Sequence, residues 1–205
     1  MSAGKRTAIL ISGRGSNMLS LLEAARAPGY PAQIALVLSN RPAAAGLARA
    51  REAGIATCGL DHKAFADREA FEQAMDAALV EADIELVCLA GFMRVLTPWF
   101  VRRWEGRMIN IHPSLLPLFR GTRTHEQALE AGMRVHGCTV HFVVPELDAG
   151  PIIAQACVPV HPDDDPAALA ARVLVEEHRI YPQALAEVAS GRAALHEGRC
   201  VFRGG

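Results

Sequence analysis

No apolar run in the chain reaches the ~18 residues that a membrane-spanning helix needs, so a helical span is excluded from the start. Charge of one sign is also missing. Lys and Arg total 21 against 22 for Asp and Glu, a formal net charge of −1. That balance provides no global attraction to nucleic acid or to an anionic membrane, and points to small partners. Cysteines are few, odd in number and scattered at 58, 88, 138, 157 and 200, with no C-x-x-C pair. Neither a zinc motif nor a redox motif is suggested, and a secreted disulfide framework is disfavoured. The apolar stretch from Ala8 to Ile11 meets Gly13 and Arg14 too soon to be a signal-peptide core. The expectation is a cytoplasmic protein.

What the chain does have is a core. Hydrophobic residues make up 51% of its 205 positions, enough for a single domain. Thr7 to Ser12, Ile34 to Leu38, Ile55 to Leu60, Leu86 to Ala90 and Met108 to Ile111 read as short buried strands. Helical segments alternate with them: Met18 to Arg26 with Asn17 as N-cap, Ala43 to Ala53, and about Asp67 to Ala82. Alternation of this kind predicts a parallel sheet covered on both faces. In the second half, Val135 to Val144 and Ile152 to Val160 flank a loop holding Asp148-Ala149-Gly150, which suits an antiparallel pair. A helix from Pro166 to about Ser190 closes the chain, with Asp165 as its N-cap and a kink or break expected at Pro182. The predicted fold class is α/β: a Rossmann-like open sheet, mostly parallel in the N-terminal half, with antiparallel strands added in the C-terminal half. One domain over 1–205 is expected, its halves meeting near residues 112 and 113.

Ser12-Gly13-Arg14-Gly15-Ser16-Asn17 lies between the first strand and the first helix, where backbone N–H groups can face a phosphate. Met18 stands where a dinucleotide fingerprint needs its third glycine, and no Gly-Lys-Ser/Thr follows. A short anion cradle and a tight turn without a ligand are equally compatible with this loop.

The sharper signal is Met108-Ile109-Asn110-Ile111-His112-Pro113. Residues two apart on a strand share a face, so Asn110 and His112 project together. They sit at the carboxyl end of a strand, where ligand crevices of open α/β sheets form. An amide beside an imidazole suits a carbonyl becoming tetrahedral, since both groups can hydrogen-bond the oxyanion and the imidazole can move a proton. A polar strand end satisfied by a loop is the plainer alternative. Asp148 is the charged partner that best suits His112, although an aspartate shortly before Gly150 is also ordinary turn chemistry. In the last helix Glu177 falls on an apolar stripe with Leu169, Val173, Tyr181 and Leu185. A carboxylate there requires a partner or a polar ligand. His136 and His141 are five apart in a strand and face opposite ways, so they make no metal pair; His141 could line the site, because its strand leads to Asp148.

Five stretches occur in order: I-L-I-S-G-R-G-S-N, L-A-G-F-M-R-V-L, I-N-I-H-P-S-L-L-P, V-H-F-V and E-L-D-A-G-P. On these, from about Thr7 through the final helix, the chain closely resembles the folate-dependent phosphoribosylglycinamide formyltransferases. The resemblance implies transfer of a formyl group from 10-formyltetrahydrofolate to the amine of glycinamide ribonucleotide in purine synthesis, by direct attack and without a metal. It implies Asn110, His112 and Asp148 as the catalytic group, and Gly15, Ser16 and Asn17 as the phosphate site. Glu177 falls on the ribose or amine side. The folate site implied is Arg68, Met93, Arg94, Val95, Leu96 and Asn110, with Val143 and Val144 from the loop running to Asp148. Two small molecules are then the partners, with no nucleic acid or membrane, and a homodimer is possible. Phe119-Arg120-Gly121 departs from the aromatic-Pro-Gly common in the family at that point. Related methionyl-tRNA formyltransferases and formyltetrahydrofolate hydrolases share the Asn, His and Asp set, and are set apart by added domains and by the G-S-N loop.

Overall fold

A computed structural model describes residues 4–203. The chain runs β1 (Lys5–Ile11), α1 (Ser16–Ala24), β2 (Ala32–Ser39), α2 (Ala45–Glu52), β3 (Ala56–Gly59), a short 3-10 turn (His62–Ala64), α3 (Arg68–Glu81), β4 (Leu86–Leu89) and α4 (Pro98–Arg103). There follow β5 (Met108–His112), α5 (Thr124–Glu130), β6 (Val135–Phe142), β7 (Ile152–Pro159), α6 (Pro166–Ala189), β8 (Ala193–His196) and β9 (Arg199–Phe202). Seven strands form one sheet in the order β3-β2-β1-β4-β5-β6-β7. The first five are parallel; β6 runs antiparallel to β5, and β7 to β6. The Rossmann-like mixed sheet expected from the sequence is the fold.

Strand periodicity divides the core in two. Ile9, Ile11, Ile109 and Ile111 pack against Met18 and Leu21 of α1, Leu47 of α2 and the stripe of α6. Their neighbours Ala8, Leu10, Val87 and Met108 pack against Phe71, Met75 and Leu79 of α3 and Phe100 of α4. Because the inner parallel strands β1, β4 and β5 are covered on both faces, their buried stretches read as near-continuous apolar runs, whereas the edge strand β3 is part-exposed. Asn110 and His112 interrupt that run at the end of β5.

Several local expectations are corrected. The first helix begins at Ser16, and its N-cap is Gly15 in the left-handed region at φ 71°, not Asn17. The Asn17 side chain is drawn instead to Glu177. Pro182 does not break α6, which runs continuously from Pro166 to Ala189. Buried Ile180, Tyr181, Ala184 and Leu185 hold the helix on both sides of the proline. Nor does α6 close the chain: β8 and β9 follow as a hairpin. Its turn residues Glu197 and Gly198 have φ of 48° and 72°, the two positive values that a two-residue hairpin of the I′ type demands.

Candidate active site

The carboxyl ends of β4 and β5 and the loop after β6 surround one cleft. It is lined by Phe92, Arg94, Val95 and Leu96 on one side, by Val143 to Asp148 on the other, and by Asn110 and His141 at its base. The cleft measures about 100 Å³. A larger cavity of about 440 Å³ lies elsewhere, between the ends of α1, α2 and β2, and shares none of these residues. Of the candidate catalytic residues, Asn110 and Asp148 line the smaller one and none lines the larger.

Two elements bring Asn110, His112 and Asp148 together. β5 supplies the first two. Asp148 comes from the β6–β7 loop, where its own φ is 48°, a conformation Asp tolerates better than most residues. One Asp148 oxygen accepts the Gly121 backbone N–H at 2.8 Å and lies 3.5 Å from His112 Nδ1. On the other side of the ring, His112 Nε2 is 3.0 Å from the Phe119 carbonyl oxygen and donates to it. Both ring nitrogens therefore face acceptor oxygens. A substrate oxygen reaching Nε2 has to replace the Phe119 carbonyl.

His141 adds a fourth side chain. Register pairs it directly with Asn110 across β5 and β6. Its Nδ1 donates to the Phe142 carbonyl at 2.8 Å, which leaves Nε2 as an acceptor for the Asn110 amide, 3.2 Å away. Burial pushes the His141 pKa down, outweighing the opposing pulls of the Phe142 carbonyl and Asp148. A neutral ring in this tautomer holds the Asn110 amide through one of its N–H groups. The strand argument brought His141 toward the site through the Asp148 loop; its hold on Asn110 comes from the pairing register.

The glycine loop lies at the opening of α1. Gly15 adopts a left-handed conformation, and a Cβ there would meet Met18 at 3.1 Å. The first backbone N–H groups of a helix have no intrahelical acceptor and attract an anion. Asn17 Nδ2 donates to Glu177 Oε2 at 2.6 Å, so the carboxylate on the apolar stripe of α6 has its partner. Burial raises the Glu177 pKa, and the Asn17 hydrogen bond partly offsets this. Asn17 Oδ1 is buried without a partner.

The remaining predicted residues divide. Arg94, Val95, Leu96, Val143 and Val144 line the cleft; Met93 and Arg68 do not. Met93 is 67% exposed at the lip. Arg68, the first residue of α3, is exposed, and Arg94 stacks 5.4 Å above the ring of Phe71 on the next turn of the same helix. Among the described residues there is no cluster of three or more His, Cys, Asp or Glu able to hold a metal ion, and no helix is long and apolar enough to cross a membrane.

Known proteins are similar to the chain in sequence and in fold. A formyl transferase family model matches residues 5–185. The human trifunctional purine biosynthetic protein adenosine-3 is 53% identical over 192 residues, covering 94% of this chain but 19% of its own length. The chain thus spans about a fifth of that relative. Phosphoribosylglycinamide formyltransferase of Escherichia coli is 47% identical over 196 residues, covering 96% of this chain and 92% of its own. The crystal structure of glycinamide ribonucleotide transformylase 1 from Symbiobacterium toebii superposes with a TM-score of 0.95 at 43% identity, covering 98% of this chain and 95% of that one. With most of its length matched by the family model and by relatives of this similarity, the chain belongs to the formyl transferase family.

Proposed function

We propose that the chain transfers the formyl group of 10-formyltetrahydrofolate to the amine of glycinamide ribonucleotide in purine biosynthesis. The observation that carries this reading is a narrow cleft lined by Asn110 and Asp148, with His112 3.5 Å from the Asp148 carboxylate. The nucleotide phosphate binds the N–H groups of Gly15, Ser16 and Asn17, and Glu177 takes the ribose or amine side. The folate lies between the Met93 to Leu96 segment and Val143-Val144, touching Asn110, with Arg68 available to its tail carboxylates.

In this reading the substrate amine attacks the formyl carbon, forming a C–N bond and a tetrahedral intermediate. His112 and the Asn110 amide stabilise the developing oxyanion, and Asp148 holds the imidazolium in place. As the bond from carbon to the folate nitrogen breaks, the proton released by the attacking amine passes to that nitrogen. The formyl-folate is a co-substrate and the chemistry calls for no metal. Residues 1–205 act as a single formyltransferase domain in the cytoplasm, on small molecules and not on nucleic acid or membrane, with a homodimer as the assembly to test.

The test is the folate absorbance change with purified protein and 10-formyltetrahydrofolate, with and without glycinamide ribonucleotide. Change only when the nucleotide is present is the expected result. Change without an acceptor would reassign the chain as a hydrolase, and no change in either case would reject formyl transfer to this acceptor.

A further inference from the structure

We propose that Ser12 is a positioning residue that couples the glycine loop to the folate segment, so that each substrate strengthens the binding of the other. This rests on the reading above, which places the nucleotide on the first and the folate on the second.

Ser12 follows β1 and immediately precedes Gly13. It is 3% exposed, and both hydrogen-bonding functions of its hydroxyl are in use. The oxygen accepts the Met93 backbone N–H at 2.8 Å, and the hydroxyl donates to Asn40 Oδ1 at 2.6 Å. The Ser12 backbone N–H donates to the Gly91 carbonyl at 3.1 Å. Asn40, itself 2% exposed beyond β2, is held in turn: its main-chain carbonyl accepts from His62 Nδ1 at 2.9 Å. A side chain this occupied does not reach a substrate. It ties together the ends of β1, β2 and β4.

The segment that Ser12 holds is fixed at its other end as well. Glu72 of α3, 1% exposed, accepts the Thr97 backbone N–H at 2.9 Å and the Thr97 hydroxyl. Residues 93–96 are thus strung between two buried side chains. The Glu72 anchor belongs to α3 and makes no bond to the glycine loop, whereas the Ser12 anchor lies one residue from it. An anion that orders residues 13–17 steadies Ser12 and, through its hydroxyl, the Met93 end of the segment. A folate resting on 93–96 acts back through the same bond, because coupling between two sites is reciprocal.

Calorimetric titration reads this coupling with tetrahydrofolate, which carries no formyl group and cannot turn over, in the absence and in the presence of saturating glycinamide ribonucleotide. In the unaltered chain the nucleotide is expected to tighten tetrahydrofolate binding about fivefold or more, the lower range of ordinary allosteric coupling. Ser12→Ala should bring that ratio close to one. Met93→Pro deletes the N–H donor while leaving the Ser12 hydroxyl in place, and should do the same; its exposed side chain makes it the deciding variant if Ser12→Ala does not fold. A ratio of one in the unaltered chain, or a ratio that survives in either variant, overturns the proposal. Failure to bind either ligand removes the functional reading itself, whereas binding of both without coupling removes only the role of Ser12.

Discussion

At the scale of single residues, the site consists of groups whose free valences are already directed. His112 has a carbonyl on one ring nitrogen and a carboxylate near the other, and Asn110 is held by His141. If His112 stabilises the oxyanion, its contribution is made in the transition state and not in ground-state nucleotide binding. His112→Ala is therefore expected to lower kcat by about 10²–10³-fold, the usual range for loss of an oxyanion donor. Nucleotide affinity, measured by calorimetry, should stay nearly unchanged. Weakened binding with kcat retained would take His112 out of the chemistry. Asn110 and His112 were legible in the sequence because a strand repeats every two residues and both are polar in an otherwise apolar run. The His141–Asn110 bond was not, because it depends on the register between β5 and β6, and no residue in either strand announces a register. For the same reason Glu177 was visible as an anomaly of helical spacing, while Asn17, 160 positions away, could not be identified as its partner.

At the scale of elements, the β6–β7 connection decides where Asp148 sits. Gly150 closes that loop against β6 so tightly that a Cβ would lie 1.7 Å from the Phe142 carbonyl oxygen. No rotamer relieves an overlap with backbone, so Gly150→Ala must push the loop away from β6 and carry Asp148 with it. The expected cost is about 1–3 kcal/mol of stability, as for other overpacked sites, read from urea unfolding. A loss of kcat is expected even at temperatures where circular dichroism shows the variant fully folded. An unchanged kcat would mean that Asp148 need not be held where it is. The β6–β7 pair and its loop were readable from two β-rich runs separated by Asp-Ala-Gly, because hairpin-like connections carry their own composition. The terminal hairpin was missed because its turn uses Glu197 before Gly198, where the recognisable signal is Asn-Gly or Asp-Gly. Helix α5 was missed too. It has seven residues, and Arg123 at its N-cap makes no side-chain cap, so neither length nor capping marked it.

At the scale of the whole molecule, an excess of buried histidine held in the neutral form makes stability depend on pH. Burial lowers the pKa of His125, His136, His141 and His178. His136 is brought to about 4, with His125 adding a smaller push in the same direction. Their rings meet edge to face at 5.3 Å beneath the loop that follows β5. In the unfolded chain each of these histidines titrates near the ordinary value of about 6.5. Between that value and the lower folded values the unfolded state binds more protons than the native state, so stability rises with pH across the window. It is fully present above about pH 6.5 and is lost as pH falls toward the folded pKa of about 4 for His136. Glu177 acts in the opposite sense, because its raised pKa lets the native state take up a proton more readily than the unfolded chain; it is one group against four. The lowered carboxyl groups of Asp164 and Glu187 lose their contribution only at the acid end of this window and below it. Urea midpoints measured from pH 7.5 down to pH 4.5 should therefore decline steadily. His136→Phe, which removes the most strongly shifted ring from the titration while keeping an aromatic in the site, should flatten that decline. An equally steep decline in the variant would place the acid sensitivity on other groups, and a midpoint that does not fall at all between those pH values would mean that the buried rings take up protons without opposing the fold.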